Sequence, residues 1–120
     1  MQHTVLKSKI HRATVTGGNV RYEGSLTIAA DLMDKAGLVA YERILCGNMA
    51  NGNRFETYAI PGKRGSGEII LNGAVSHLGG KGNRLTIMSF TTVSRKQAAK
   101  WTPRVIVLDR ENRVLSQRGR

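Results

Sequence analysis

One dipeptide in this chain has the residue types for a reaction of the chain on itself: Gly24-Ser25, within Tyr22-Glu23-Gly24-Ser25. Glycine has no Cβ, so Gly24 can take backbone geometries closed to other residues, and its carbonyl is open to attack. The Ser25 hydroxyl is a neighbouring nucleophile, and chain connectivity has already met the entropic cost of bringing the two groups together. Its attack on the Gly24 carbonyl would replace the amide by an ester.

Such an ester leads to a reactive carbonyl. Removal of the Ser25 Cα proton would expel the Gly24 carboxylate and leave a dehydroalanine, which hydrolyses to a pyruvoyl group. A pyruvoyl carbonyl can form a Schiff base with a substrate amine and act as an electron sink. A bare Gly-Ser is more often part of an ordinary turn, and Gly65-Ser66 is a second copy of the dipeptide. The chemistry therefore depends on context.

Four motifs supply that context, and they occur in the order Lys9-Ile10-His11-Arg12, Tyr22-Glu23-Gly24-Ser25, Asn51-Gly52-Asn53-Arg54-Phe55-Glu56-Thr57-Tyr58-Ala59-Ile60 and Asn72-Gly73-Ala74. Together they resemble the pyruvoyl-dependent aspartate 1-decarboxylases, over about Met1 to Trp101. The resemblance implies a chain that cuts itself between Gly24 and Ser25 into residues 1–24 and 25–120. It also implies an enzyme that converts L-aspartate to β-alanine and carbon dioxide, for pantothenate and coenzyme A synthesis.

The resemblance assigns the chemical roles residue by residue. Ser25 becomes the pyruvoyl group, and Tyr58 donates the proton to the carbanion left by loss of carbon dioxide. The Thr57 hydroxyl donates to the oxyanion formed during cleavage, and Asn72 orders the processing site. Lys9, Arg54 and Thr57 contact the substrate. The backbone of Gly73, Ala74 and Val75 lines the substrate pocket, and His11 and Tyr22 flank the processing site.

Some of these residues also have simpler interpretations. Lys9 and Arg54 fit solvated surface charges, and Tyr58 fits a packing aromatic on a strand. The planar fork of Arg54 does suit a carboxylate. Two positions depart from the family pattern, because Gly47 stands where an aromatic residue is common and Asn83 where an aspartate is common.

The composition bounds the architecture. A chain of 120 residues fits one domain, residues 1–120, and with 40% hydrophobic residues and only six aromatics its core must rest on Val, Ile, Leu and Ala. A domain of this size leaves much apolar surface, which favours oligomerisation. The resemblance implies a homotetramer with active sites between subunits, and leaves room for a maturation factor.

Targeting signals and disulfides are not expected. Cys46 is the single cysteine, so no intrachain disulfide can form, and the cytoplasm is the expected compartment. The N-terminus has no apolar signal-peptide region, and no segment approaches the length of a membrane span.

The net charge of +11 indicates an alternative function. A strongly basic chain is typical of proteins that bind nucleic acid or other polyanions, and a non-enzymatic basic β-barrel is one alternative hypothesis. Eight of the 19 Lys and Arg residues lie from Arg95 onward, which favours a solvated basic tail instead. A processed enzyme that decarboxylates a different amino acid is the other alternative.

Metal and phosphate sites are not predicted. His3, His11 and His77 lack metal-ligand spacing, and one cysteine cannot complete a zinc site. Gly79-Gly80-Lys81 lacks the other residues of a phosphate-binding loop. The expected cofactor is therefore the self-derived pyruvoyl group alone, without metal.

Short segments rich in β-branched residues, separated by turn signals, predict a mainly β fold of the barrel or sandwich kind. The resemblance sharpens this to a small six-stranded double-psi β-barrel with short helices. Locally, we expect a turn at 17–19, a strand from Val20 and a hairpin at Asn51-Gly52. We also expect a helix capped by Asp31 and ended by Gly37, and a Ser94/Gln97 capping box.

Overall fold

A computed structural model describes residues 1–119 and shows a mainly β protein. The strands are β1 (Gln2–Thr14), β2 (Gly17–Asn19), β3 (Ser25–Ala29), β4 (Arg43–Asn48), β5 (Arg54–Gly62), β6 (Ile69–Asn72), β7 (Arg84–Ser94), β8 (Arg104–Leu108) and β9 (Val114–Arg118). The helices are α1 (Ala30–Ala36), a 3₁₀ helix (Gly73–Leu78) and α2 (Arg95–Ala98). The prediction of a mainly β chain with short helices is confirmed.

All nine strands described belong to one sheet with the order β2-β6-β3-β5-β4-β7-β1-β8-β9. Strand β5 joins its two parts, because residues 54–58 pair with β4 in antiparallel register while residues 59–62 pair with β3 in parallel register. Within the described residues the order has two ends, β2 and β9, and the sheet is not closed. The described sheet has more strands than the six of the predicted barrel, and the six-stranded double-psi barrel stays a prediction.

The core is aliphatic, as the composition predicts. Phe55 is the one aromatic side chain of this core within residues 1–119. The largest side chains with less than 2% exposure are Ile10, Leu26, Ile28, Ile44, Ile69, Leu71, Leu85, Ile87, Ile106 and Leu108. They come from six strands on both sides of β5, so burial of apolar surface ties the two parts of the sheet together.

Helix ends follow the predicted local signals at two of three points. Gly37 ends α1 with φ 75°, in the left-handed region that glycine enters without a Cβ penalty. Ser94 and Gln97 form the predicted capping box at α2, although the helix ends at Ala98. The prediction for Asp31 is wrong: Ala29 is the N-cap of α1, and Asp31 Oδ1 instead accepts the Gly65 N–H at 2.8 Å.

The segment before the Gly24-Ser25 bond also differs from prediction. Residues 17–19 form strand β2, which pairs in parallel with β6, instead of a turn. Val20 then begins a turn, not a strand, and the Tyr22 N–H donates to the Asn19 carbonyl at 3.3 Å. A tight loop therefore leads into Gly24, and it is anchored on the same β6 strand that pairs with Ser25.

Candidate active site

Ser25 is the first residue of β3 and is completely buried. Its hydroxyl donates to the Glu23 carbonyl at 3.2 Å and accepts from Asn72 Nδ2 at 3.1 Å. One donor and one acceptor hold the side chain in a single orientation against the chain that leads to Gly24. The hydroxyl is thus held next to the backbone on either side of Gly24.

Asn72 connects Ser25 to the rest of the sheet. It is the last residue of β6, it lies directly opposite Ser25 in the antiparallel β3–β6 pairing, and it is 3% exposed. Its Nδ2 also donates to Thr27 Oγ1 at 2.8 Å. Both amide protons of Asn72 therefore bind hydroxyls on β3, and the carboxamide is fixed from two sides.

Gly73 packs directly against Gly24 and the Tyr22 carbonyl. Its φ is +68°, and a Cβ there would lie 2.7 Å from Gly24 Cα and 2.9 Å from the Tyr22 carbonyl oxygen. Such contacts are too close for any residue but glycine. Gly24 itself differs from expectation, because it lies outside the left-handed region and a Cβ there would meet nothing within 4 Å. The backbone therefore requires glycine at position 73, whereas at position 24 there is room for a Cβ.

Strand β5 brings Tyr58 and Thr57 to the same region. Leu26 lies opposite Ala59 in the parallel β3–β5 pairing, so the preceding residues, Ser25 and Tyr58, are neighbours on one face of the sheet. Adjacent strands are about 4.8 Å apart. Thr57 precedes Tyr58 on β5, and its backbone pairs with Ile44 on β4. Tyr58 is half-buried, and its ring centroid lies 6.0 Å from that of Tyr41.

Lys9 and Arg54 line a separate cleft of about 340 Å³, together with Gly47, Asn48, Met49, Gly52, Thr86 and Met88. This cleft lies over β1, β7, β4 and the start of β5. Ser25, Asn72 and Tyr58 are not part of its lining. Arg54 and Tyr58 are four residues apart on one strand, which corresponds to about 13 Å. Within one chain, Ser25 and the two cations Lys9 and Arg54 therefore lie at different places on the sheet.

The other predicted site residues are divided between these places. Tyr22 lies in the loop before Gly24 with a side chain that is 51% exposed. Ala74 and Val75 follow Gly73 in the 3₁₀ helix, and the Val75 side chain is buried in the core. The role of the Val75 backbone in lining the pocket stays a prediction.

His11 lies on β1, with its Nδ1 3.4 Å from Thr86 Oγ1. Burial is the main cause that lowers the pKa of His11 below its usual 6.5, and the positive charges of Lys9, Arg12 and Arg84 lower it further. His11 is therefore neutral near pH 7. A neutral imidazole next to Lys9 can exchange hydrogen bonds without adding another charge.

Two polar residues of these places were missed by the sequence reasoning. Thr27 receives the second hydrogen bond of Asn72, and Thr86 lines the cleft beside Arg54 and contacts His11. The alternation of β3 places Thr27 two residues from Ser25 on the same face, which is a usable signal. Thr86 has no such signal, because its neighbours depend on the pairing of distant strands.

Within residues 1–119 no group of three or more His, Cys, Asp or Glu side chains is placed to hold a metal ion. The described chain also contains no helix with the length and apolar character needed to cross a membrane. Cys46 is free and fully buried, and burial raises its pKa to about 12.

Comparison with known proteins identifies the family of this chain. The aspartate decarboxylase family model matches residues 1–115. Aspartate 1-decarboxylase of Clostridium botulinum (strain 657 / Type Ba4) is 47% identical over 114 residues, which cover 95% of this chain and 90% of the relative. The enzyme of the same name from Syntrophobacter fumaroxidans is 48% identical over 117 residues, which cover 98% and 94% respectively. By both measures, this chain belongs to the aspartate decarboxylase family.

Proposed function

We propose that this protein is an aspartate 1-decarboxylase that cuts itself at Gly24-Ser25 and then releases β-alanine and carbon dioxide from L-aspartate. The observation that carries the proposal is the buried Ser25 hydroxyl, held by Asn72 and packed beside the Gly24–Gly73 contact. Production of β-alanine places the enzyme before pantothenate and coenzyme A synthesis. The expected compartment is the cytoplasm.

Cleavage begins with attack of Ser25 Oγ on the Gly24 carbonyl carbon. The amide bond between Gly24 and Ser25 then breaks, and the Ser25 nitrogen leaves as an amine that takes up the hydroxyl proton. In the intermediate between these two events, negative charge develops on the Gly24 oxygen. Thr57, the residue before Tyr58 on β5, supplies a hydroxyl donor for that oxygen. Asn72 keeps the attacking oxygen in place from β6. Gly73 allows the backbone before the bond to lie close against the 3₁₀ helix.

The pyruvoyl group that results supplies an electrophilic carbonyl and an electron sink to the bound amino acid. Ser25 fits this origin, because it has no exposure to solvent and follows Gly24, against which Gly73 packs too closely for a Cβ. Tyr58 lies on the same face, one strand away, and its hydroxyl delivers the proton to the carbon that has lost carbon dioxide. Arg54 and Lys9 hold the substrate carboxylate by charge and hydrogen bonds.

The separation of the two places supports an assembly in which subunits share sites. The cleft lined by Lys9 and Arg54 does not reach Ser25 in one chain. A homotetramer would let the cations of one subunit complete the Ser25 site of its neighbour, and it would cover exposed apolar side chains such as Tyr41, Met49 and Phe90. Formation of a six-stranded double-psi barrel and action of a maturation factor belong to this same proposal.

The direct test is the mass of the purified protein before and after prolonged warm incubation. We expect two fragments, residues 1–24 and residues 25–120, with the larger one blocked at its N-terminus. Ser25→Ala is expected to stay intact and inactive, because it removes the nucleophile. Ser66→Ala is the matched control, since it alters the second Gly-Ser, in an exposed turn.

The outcomes separate clearly. Cleavage at Gly24-Ser25 in the Ser66→Ala variant, together with β-alanine formation, supports the proposal. A single full-length mass under all conditions would show that the chain does not process itself. Light scattering of the cut protein tests the tetramer separately, and a fully active monomer would overturn the shared site.

A further inference from the structure

The cleft of Lys9 and Arg54 has a floor formed by residues in register on four neighbouring strands. Arg54 on β5 lies opposite Gly47 on β4, and Gly47 lies opposite Thr86 on β7. Thr86 in turn contacts His11 on β1. Arg54, Gly47, Thr86 and His11 therefore form one row across the sheet.

The two cations lie at opposite ends of this row, Arg54 within it on β5 and Lys9 next to His11 on β1. Lys9 lies opposite Met88, two residues further along β7 than Thr86, so Lys9 and His11 share the face of the row. Strands β5 and β1 are three steps apart in the sheet, which corresponds to about 14 Å between their backbones. Both side chains are long and can lean inward over the strands between them. An acidic ligand held by both must lie over Gly47 and Thr86.

The middle of the row is open because position 47 has no side chain. A Cβ on Gly47 would meet nothing within 4 Å, and Gly47 is not among the residues with positive φ. The backbone thus does not require glycine here. The space between the two cations is free because residue 47 has no side chain, and any larger residue at position 47 would fill part of it.

Thr86 supplies a hydrogen bond at the same place. Its hydroxyl can accept from Nδ1–H of His11 and donate its own proton to a carboxylate above it. His11 then fixes the direction of the Thr86 proton. A carboxylate in the cleft would meet a cation on each side and a neutral donor beneath it.

We propose that Gly47 and Thr86 select the acidic ligand of this cleft: Gly47 admits a chain one methylene longer than that of aspartate, and the Thr86 hydroxyl binds its carboxylate. This rests on the proposed function only in that the natural ligand is an acidic amino acid. The ligand class is a four- or five-carbon dicarboxylate. Neither residue takes part in cleavage of Gly24-Ser25.

The test measures binding to the full-length Ser25→Ala chain, so that it does not depend on processing. Succinate and glutarate are titrated separately by calorimetry. With Gly47 present, we expect the two dissociation constants to agree within about threefold. Gly47→Val should weaken glutarate by about tenfold more than succinate, as a misfit of one methylene does. Gly80→Val, in an exposed loop with open space around it, is the matched control and should change neither.

Thr86 is tested in the same assay. Thr86→Val should weaken both ligands by about tenfold, because a hydrogen bond to a charged group is lost, and Thr86→Ser should restore binding. Failure of both dicarboxylates to bind the Ser25→Ala chain overturns the inference. So does an equal effect of Gly47→Val on the two ligands, or a Thr86→Val variant that binds normally. None of these results bears on self-cleavage, which is measured separately on the chain that retains Ser25.

Discussion

The Nδ2 atom of Asn72 lies 3.1 Å from the Ser25 hydroxyl oxygen, and the two residues face each other directly across the β3–β6 ladder. The same carboxamide holds Thr27 at 2.8 Å. Because Asn72 is also the residue before Gly73, one short segment both holds the Ser25 hydroxyl and packs against Gly24. In the proposed cleavage, this segment therefore contacts both residues of the bond that is cut.

Tyr58→Phe separates turnover from cleavage. The substitution keeps the ring and removes only the hydroxyl, so we expect normal cutting at Gly24-Ser25 and a fall in β-alanine formation of about 10²-fold or more. Gel quantification of the fragments beside a β-alanine assay measures both. Tyr41→Phe is the control, because it removes a hydroxyl from the neighbouring ring without touching the proposed donor. Normal turnover by cut Tyr58→Phe would disprove the role of Tyr58.

Thr57→Val tests the oxyanion donor. Valine keeps the shape and strand preference of threonine but lacks the hydroxyl, so we expect cleavage to slow by about 10²-fold or more. Thr57→Ser retains the hydroxyl and should cut at close to the original rate. The time course of fragment formation at fixed temperature gives both rates. Equal rates for the valine and serine variants would show that the hydroxyl has no part in cleavage.

Arg54→Lys tests carboxylate recognition. Lysine keeps the charge and loses the two-pronged grip, so we expect full cleavage and a higher KM for L-aspartate, by about tenfold, with a smaller effect on kcat. Arg118→Lys on β9, outside the cleft, is the matched control. A change confined to kcat would indicate that Arg54 acts on the chemical step instead.

Gly73→Ala tests the contact with Gly24. An alanine at φ +68° loses about 1–2 kcal/mol of stability from its left-handed backbone. Its Cβ would also collide with Gly24 Cα, so we expect a larger loss and slower cleavage. Gly65→Ala has a similar φ of +81° with open space, and it should show the backbone loss alone. Urea unfolding and the rate of cleavage are the two measurements; identical behaviour of both variants would show that the contact is unimportant.

His11 predicts a pH dependence of stability. Its pKa is lowered in the folded chain from the usual 6.5, mainly by burial and then by Lys9, Arg12 and Arg84. Below about pH 6.5 the unfolded chain therefore binds more protons at this residue than the folded chain, and acidification favours unfolding. The loss of stability begins near pH 6.5 and is complete below the pKa that His11 has in the folded chain. We expect urea unfolding of His11→Gln to lose less stability between pH 7.5 and 5.5 than the chain with His11; equal losses would contradict this.

Local signals in the sequence were sufficient where a few neighbouring residues decide the structure. The Gly37 helix end, the Ser94 capping box and the Asn51-Gly52 hairpin are of this kind. Residues 17–19 show the opposite case, because their pairing with β6 overrides the turn preference of Gly17-Gly18-Asn19.

The site required more than local pattern. Ser25 and Asn72 are 47 residues apart in sequence, and only the family resemblance placed them together in advance. His11 and Thr86 are 75 residues apart, and the β1–β7 ladder between them contains two register shifts. A single-residue shift moves a side chain to the other face, so alternation along β1 could not identify Thr86 as a neighbour of His11.

The position of β1 gives the proposed cleavage a thermodynamic consequence. β1 pairs with β7 on one edge and β8 on the other, so residues 1–24 carry an interior strand of the sheet. Before the cut, unfolding is a unimolecular reaction of one chain. After it, complete unfolding releases two polypeptides, and mass action makes reassembly depend on their concentrations. A fragment pair formed before folding would have to meet by diffusion, whereas a chain that folds first has every strand already in place; the topology thus favours folding before maturation.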